Sequence, residues 1–307
     1  MAEPVVQFDA LRKGLPQREG SLMTAGLVRM SRRGRLAGVP ETIRAHPLPA
    51  FFALAYAVSW GILLLLYGMM RAPAAVVIFV QTLGPTIAAR IVLTTIGGRV
   101  AYREMRHRGR LWRVPFRWYL LGLAVIPAAC LGAVAVLPGG IGALQNASAG
   151  SIVSTFAFFL VFGFFSGPLF EEPGWRGFAL PRLERDRGPL VGTLILGVLW
   201  GVWHLPQFLV PEWAAQNGGS DPATIAAFLV LVMTLSPVLT WVYNRTGSLW
   251  LAMVTHASIN ASLSMGPVLP AAGPMLVGIV AFGAISLVLV IATRGRFGYD
   301  AQAQLGV

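Results

Sequence analysis

The sequence predicts an all-α, polytopic integral membrane protein of about eight transmembrane helices, with its N and C termini cytoplasmic. Three observations carry this reading. Of 307 residues, 56% are hydrophobic and only 12% charged, and mean hydropathy is +0.68, far too apolar for a water-soluble domain of this length. The apolar residues fall in stretches of about 20, the length a helix rising 1.5 Å per residue needs to cross a hydrocarbon core of roughly 30 Å. The arginines fall on alternate connections between those stretches.

In chain order the stretches run over 49–70, 74–97, 117–137, 151–180, 189–210, 223–243, 247–265 and 274–292. Each carries Leu, Val, Ala, Phe and Gly all round instead of on one stripe, as a lipid-buried helix does. The fourth stretch is a single helix only if it continues through Glu171 and Glu172. Residues 1–46 read as a basic cytoplasmic tail, with a short amphipathic surface helix over 22–36 as the alternative. Residues 47–293 form the membrane domain, with its motifs concentrated in 150–265, and 294–307 a short cytoplasmic tail.

A net charge of +12 raises the question of nucleic acid, and the placement of the charges answers it. Arg29, Arg32, Arg33, Arg35 and Arg44 precede the first stretch, and Arg99, Arg103, Arg106, Arg108, Arg110 and Arg113 fill the second connection. Arg182, Arg185, Arg187, Arg245, Arg294 and Arg296 mark the later connections on the same side. The alternate connections, near 139–150, 211–222 and 266–273, contain no Lys or Arg, and Arg71 is the one exception, a helix-end residue able to snorkel. By the positive-inside rule the arginine side is cytoplasmic, so the basic charge sets topology and attracts anionic lipid; it does not mark a nucleic-acid site. Cys130 is the only cysteine, which excludes disulfides and thiolate metal clusters within one chain. Neither a P-loop nor a dinucleotide fingerprint is present. Oligomeric state is not encoded legibly, because small-residue packing motifs are too common in membrane helices.

Within this apolar background a few polar residues stand out. Twelve residues are acidic, and only Glu171 and Glu172 lie away from tails, loops and helix ends. Among four histidines, His46 and His107 belong to basic cytoplasmic segments, whereas His204 and His256 interrupt apolar helices. A carboxylate at membrane depth costs about 3 kcal/mol on insertion scales, so it persists where it is paired, wetted or chemically active. At 1.5 Å per residue, Glu171 lies roughly 16 Å from Arg182, His204 roughly 22 Å from Pro189 and His256 roughly 16 Å from Arg245, a similar level on three helices. This places a carboxylate and two imidazoles together inside the membrane, in a cavity expected to be reached from the cytoplasm. Residues four apart share a helix face, which couples Glu172 with Arg176, His256 with Asn260, and Trp200 with His204 as an aromatic ring stacked behind the imidazole. Gly167, Pro168, Pro173 and Pro206 flank these groups and free backbone carbonyls, which at this depth implies water or protein beside them.

These residues resemble the CAAX protease and bacteriocin-processing family, which includes type II CAAX prenyl endopeptidases and bacterial immunity proteins. The likeness rests on Glu171, Glu172 and Arg176 in F-E-E-P-G-W-R-G-F, on Trp200 and His204 in W-G-V-W-H-L-P, and on His256 and Asn260 in T-H-A-S-I-N. Softer similarities are L-G-P-T-I-A-A-R near Gly84 and W-V-Y-N-R-T-G-S-L-W near Trp241. The resemblance implies an intramembrane endopeptidase acting on membrane-anchored peptides or proteins in the lipid bilayer, in which Glu171 activates water, His204 helps hold it, and His256 and Asn260 donate to the oxyanion. Glu172, Arg176 and Trp200 support these groups from behind. No cofactor is required in that scheme. The alternative is zinc held by Glu171, His204 and His256 with a water in the fourth position, although the H-E-x-x-H helix of soluble zinc proteases is absent. Two other classes stand beside the protease: an inactive peptide-binding scaffold or immunity protein, and a proton-coupled transporter using Glu and His as relays. With Lys13 its sole lysine and many Arg and Ala, the chain looks bacterial, so a prenylated substrate is a poor default and a bacterial cytoplasmic membrane the expected location.

Overall fold

The computed structural model describes residues 41–265 and 273–300, so the expected surface helix over 22–36 and most of the two tails lie outside the described residues. Among the described residues every regular element is helical. The first span, α1 (Pro47–Met69), opens on Pro47 and Pro49, whose fixed φ suits the first helical turn, and closes in a π-helical turn. A short α2 (Ala74–Gln81) leads into α3 (Leu83–Arg108), where Gly98 at φ 62° breaks the helix before its arginine-rich end. Then come α4 (Phe116–Val136), α5 (Gly140–Asn146) and α6 (Ala149–Phe165). The site region follows as α7 (Pro168–Gly174), a π turn (Trp175–Ala179) and α8 (Leu180–Arg187), and then as α9 (Pro189–His204) with the 3₁₀ turn Leu205–Leu209. The last three helices are α10 (Pro222–Thr246), α11 (Leu249–Leu263) and α12 (Gly273–Thr293).

The chain is thus an all-α, multi-pass membrane protein. Among the described residues six helices are long and apolar enough to cross a membrane, and a seventh counts if α5 and α6, bent by 98°, are one span. The expected fourth stretch is not continuous: it breaks at Ser166 and Gly167, so the glutamates begin a new helix and do not sit in the middle of an old one. The physical reason is Gly167–Pro168, since a residue before proline is pushed out of the α region, and Gly167 adopts φ −167°, ψ −71°. The expected seventh stretch is helical over the 15 residues of α11, short of a full crossing.

Two close approaches fix the helices that carry the site. Gly84 of α3 packs so tightly on Ser59 of α1 that a Cβ there would lie 2.0 Å from the Ser59 Oγ. Gly174 at the end of α7 meets Pro85 of α3, where a Cβ would come within 2.5 Å of the proline Cβ. Small residues at such crossings let backbones approach, which is the main source of packing energy between helices in lipid. Polar cross-links reinforce them: Tyr56 Oη donates to the Leu199 carbonyl at 2.5 Å, Trp60 Nε1 to the Trp203 carbonyl at 3.1 Å, and Thr86 Oγ1 to the Phe170 carbonyl at 2.5 Å. Through these bonds α1 and α3 hold α7 and α9 in register.

Candidate active site

Pro168 starts α7 and places Glu171 and Glu172 in its first turns, while Pro173 inside the helix, the following π turn and Pro181 disturb its normal hydrogen bonding. Single π turns inside helices occur often at functional sites. Adjacent on the helix, the two glutamates point to different surroundings. Glu172 is completely buried: its Oε1 accepts from Arg176 Nη1 at 3.1 Å and from His256 Nδ1 at 2.7 Å. Glu171 is 5% exposed, and its Oε2 accepts from the Trp200 indole N–H at 2.8 Å. Its Oε1 rests against Gly167, where an added Cβ would approach to 2.9 Å.

Trp200 therefore does more than stack behind His204 as expected. The two rings are tilted at 56° with centroids 5.8 Å apart, and the indole serves as a hydrogen-bond donor to the carboxylate. The Arg176 guanidinium lies 4.4 Å from the Trp200 ring centroid, a cation–π contact, so Arg176 braces Glu172 directly and Trp200 from its face. Trp200 also packs edge-on against His256 at 5.1 Å. Glu171, Trp200, Arg176, Glu172 and His256 consequently form one connected network across α7, α9 and α11.

The imidazoles are oriented by the partners of their Nδ1 atoms. His204 Nδ1 lies 2.8 Å from the Trp200 carbonyl, which can only accept, so that nitrogen carries the hydrogen. His256 Nδ1 donates in the same way to the Glu172 carboxylate. In both rings Nε2 is the atom left for other chemistry. The aromatic setting of His204 is completed by Trp203, Trp213 and Phe228.

A cavity of about 660 Å³ lies over these groups, lined by Glu171, Trp200, His204, His256 and Asn260 among others. The structure thus brings five of the seven residues singled out by sequence to one space. Glu172 and Arg176 sit behind it, both 0% exposed. The walls are apolar, with Phe159, Phe228, Leu231 and Leu235, and the rim is polar, with Gln207, Asn217 and Ser264. Neither Lys nor Arg lines it. The rim and wall residues were not found from sequence; Gln207, three residues after His204, was the one signal available.

The lining residues come from the junction of α2 and α3, from α6, the start of α7, the end of α9 and its following turn, α10 from Phe228 to Leu235, the end of α11 and the start of α12. Phe51, Trp175, Phe178 and Trp203, all 0% exposed, pack ring against ring, and Trp203 also packs against His204.

A metal has a poor fit. Among the described residues no group of three or more His, Cys, Asp or Glu side chains is spaced to hold an ion, and Glu171, His204 and His256 do not form such a set. The His256 imidazole is oriented through Nδ1 by Glu172, and Glu171 through Oε2 by Trp200, which leaves His256 Nε2 and Glu171 Oε1 facing the cavity.

The family model described as type II CAAX prenyl endopeptidase Rce1-like matches residues 152–262. That segment holds α7, α9, α11 and all seven candidate residues. A CAAX prenyl protease 2 of Methanococcus maripaludis is 25% identical over 103 residues, covering 30% of this chain and 34% of the relative. The match thus spans about a third of that relative's length.

Proposed function

We propose, supported by the family-model match over residues 152–262, that the chain is an intramembrane endopeptidase of the CAAX protease type, hydrolysing peptide bonds of membrane-anchored substrates. The observation that carries the reading is one cavity presenting Glu171, His204, His256 and Asn260 together, with Glu172 and Arg176 buried behind them. Water held between the Glu171 carboxylate and His204 Nε2 attacks the scissile carbonyl carbon, and its proton passes to Glu171. Asn260 and His256 donate to the oxyanion that forms, with Glu172 fixing the imidazole through Nδ1. Glu171 then returns the proton to the leaving nitrogen as the C–N bond breaks, giving a carboxylate and an amine. Trp200 holds one oxygen of Glu171 and so fixes the direction in which the other can act.

The bacterial cytoplasmic membrane is the location we assign, on the arginine-rich, lysine-poor composition. The domain limits also stand as part of the proposal: a catalytic core over 150–265 within a membrane domain of 47–293, flanked by tails of 1–46 and 294–307.

The test is cleavage of a fluorogenic, lipid-anchored peptide library by purified protein, comparing wild type with Glu171→Gln and His204→Ala, with and without chelator. Loss of cleavage in both variants, with wild type unaffected by chelator, supports the scheme. Loss on chelation that zinc restores would replace it with a metal-dependent one. Wild-type cleavage no higher than the Glu171→Gln background across the library would leave a peptide-binding scaffold as the better reading.

A further inference from the structure

We infer that Gln207 is a substrate-binding residue: its carboxamide pairs with a backbone peptide group of the bound chain and so sets which carbonyl lies over Glu171 and His204. This deepens the protease reading and rests on it for the word substrate, while the contact with a peptide is measurable without cleavage. Gln207 lines the cavity, and the residue is only 2% exposed. Among the described residues, no group hydrogen-bonds its side-chain amide. The other polar side chains on the lining are differently placed. Thr82 Oγ1 donates to the Phe79 carbonyl at 2.7 Å, Ser166 Oγ to the Gly163 carbonyl at 3.1 Å, Ser264 Oγ to the Asn260 carbonyl at 2.9 Å and Asn217 Nδ2 to the Trp213 carbonyl at 2.8 Å. Gln216 is exposed. Two shielded carboxamides are left over, Asn260, which the hydrolysis scheme already uses, and Gln207.

The fold holds this amide in place. Pro206 lies in the 3₁₀ turn Leu205–Leu209 that ends α9, and the Gln207 carbonyl accepts from the Val210 amide at 2.9 Å. Phe208 packs edge-on against Trp213 at 4.7 Å and Phe228 at 5.4 Å, which anchors the backbone next to Gln207. In a 3₁₀ turn residues three apart eclipse one another at a rise of about 2.0 Å per residue, so Gln207 stands on the same edge as His204, roughly 6 Å farther along. An extended peptide advances about 3.3 Å per residue, which makes that offset about two residues from the scissile bond.

The chemistry of the amide names its partner. Native interiors pair nearly all of their buried polar groups, and one kept open toward a cavity is paired by what enters it. A carboxamide carries a carbonyl acceptor and N–H donors side by side, as a peptide group does, and has no charge with which to select an ionised side chain. The ionisable groups on the lining are Glu171, His204 and His256, all assigned to the reaction. Gln207 therefore reads the main chain, with its oxygen accepting from a substrate N–H and its nitrogen donating to a substrate carbonyl. Such a contact fixes position without demanding a particular side chain, and holding the reacting carbonyl in place is itself a large part of rate enhancement.

The experiment uses the full chain in bicelles. The probe is the member of the lipid-anchored peptide library bound most tightly by the Glu171→Gln protein, with a series in which one backbone amide at a time is replaced by an ester. Gln207→Met keeps length and volume but removes donor and acceptor. It is expected to lower kcat/KM about tenfold, mostly through KM, with detergent resistance no lower than wild type. An ester about two residues from the scissile bond is expected to weaken wild type by a similar factor and to leave Gln207→Met unaffected, the coupling of a double-mutant cycle. A merely structural role would instead lower detergent resistance and leave every ester with the same effect in both proteins; that pattern, or an unchanged kcat/KM, overturns the inference. The same cycle is read as dissociation constants in the Glu171→Gln background, where no bond is cut. If wild type cleaves nothing, the protease reading fails, and the coupling in the binding cycle still decides: coupling at one ester position upholds the contact of Gln207 with a peptide backbone, and its absence, or no binding by any library member, overturns it.

Discussion

Replacing Glu172 by Gln separates the two adjacent glutamates by physics as well as by role. Glu172 has 0% exposure and forms an ion pair at 3.1 Å with a guanidinium that is equally buried. Arg176 Nε and Nη2 already lack partners, as does Glu172 Oε2, so the site has no spare acceptor to absorb a lost charge. Removing one member of a buried ion pair leaves the other uncompensated, at a cost of about 3–5 kcal/mol. Set against a total stability of roughly 5–15 kcal/mol, this is a large fraction. Glu171→Gln leaves an amide oxygen that can still accept from Trp200, so its effect on stability stays within about 1 kcal/mol. The assay is titration with a denaturing detergent in mixed bicelles, followed by the fluorescence of the nine Trp residues, alongside peptide cleavage. Both variants are expected to lose cleavage, but only Glu172→Gln to lose stability. The double variant Glu172→Met with Arg176→Met removes both charges and recovers most of the stability without recovering cleavage. Equal destabilisation by the two single Gln variants, or a double variant no more stable than Glu172→Gln, would refute the reasoning.

Further outcomes follow from single contacts. Trp200→Phe keeps the ring beneath Arg176 but removes the donor to Glu171, a bond to a carboxylate worth about 1.5–3 kcal/mol, so cleavage falls about 10- to 100-fold in steady-state kinetics while the protein remains folded. Gly167→Ala meets no backbone strain at φ −167°, yet its Cβ crowds Glu171 Oε1; cleavage drops about tenfold or more with little change in detergent resistance. Gly174→Ala drives a Cβ against the Pro85 Cβ and carbonyl and destabilises by about 1–3 kcal/mol in the same titration. Asp221 caps α10 by accepting from the Ala223 and Thr224 amides, and these bonds with the Thr224 hydroxyl hold its carboxyl below the usual range. Its contribution is complete above the unfolded carboxylate value near 4 and disappears as pH falls through the lower folded value; thermal scans between pH 6 and 2.5 should show that loss in wild type and not in Asp221→Ala.

Much of the architecture was legible because lipid imposes a simple grammar on sequence. Eight apolar stretches and alternating arginines identified an all-α multi-pass protein, and carboxylates and imidazoles inside such stretches are rare enough to be noticed singly. The break at Gly167 was carried by the Gly-Pro pair, but the largely apolar run that spans it, Ile152 to Phe170, favoured one helix. The hydrogen bond from Trp200 to Glu171 had no local signal, because it depends on the register of α7 against α9, which Tyr56, Trp60 and Thr86 fix from other helices.

The network behind the cavity argues for a division of labour within one short segment. A buried Glu172–Arg176 pair with three unpartnered polar atoms is a poor device for stability, since an apolar pair of similar volume would do as well or better. What the pair does that an apolar one cannot is hold His256 through its Nδ1 and press a cation against the face of Trp200, which in turn donates to Glu171. Every atom facing the cavity with a role in the proposed hydrolysis, apart from Asn260 and His204, is therefore oriented by a charge that substrate never touches. His204 is set independently by the Trp200 carbonyl. Perturbing Arg176 should consequently affect the oxyanion donor His256 and the base Glu171 together, whereas perturbing α9 beyond Trp200 should affect the water-holding His204 alone.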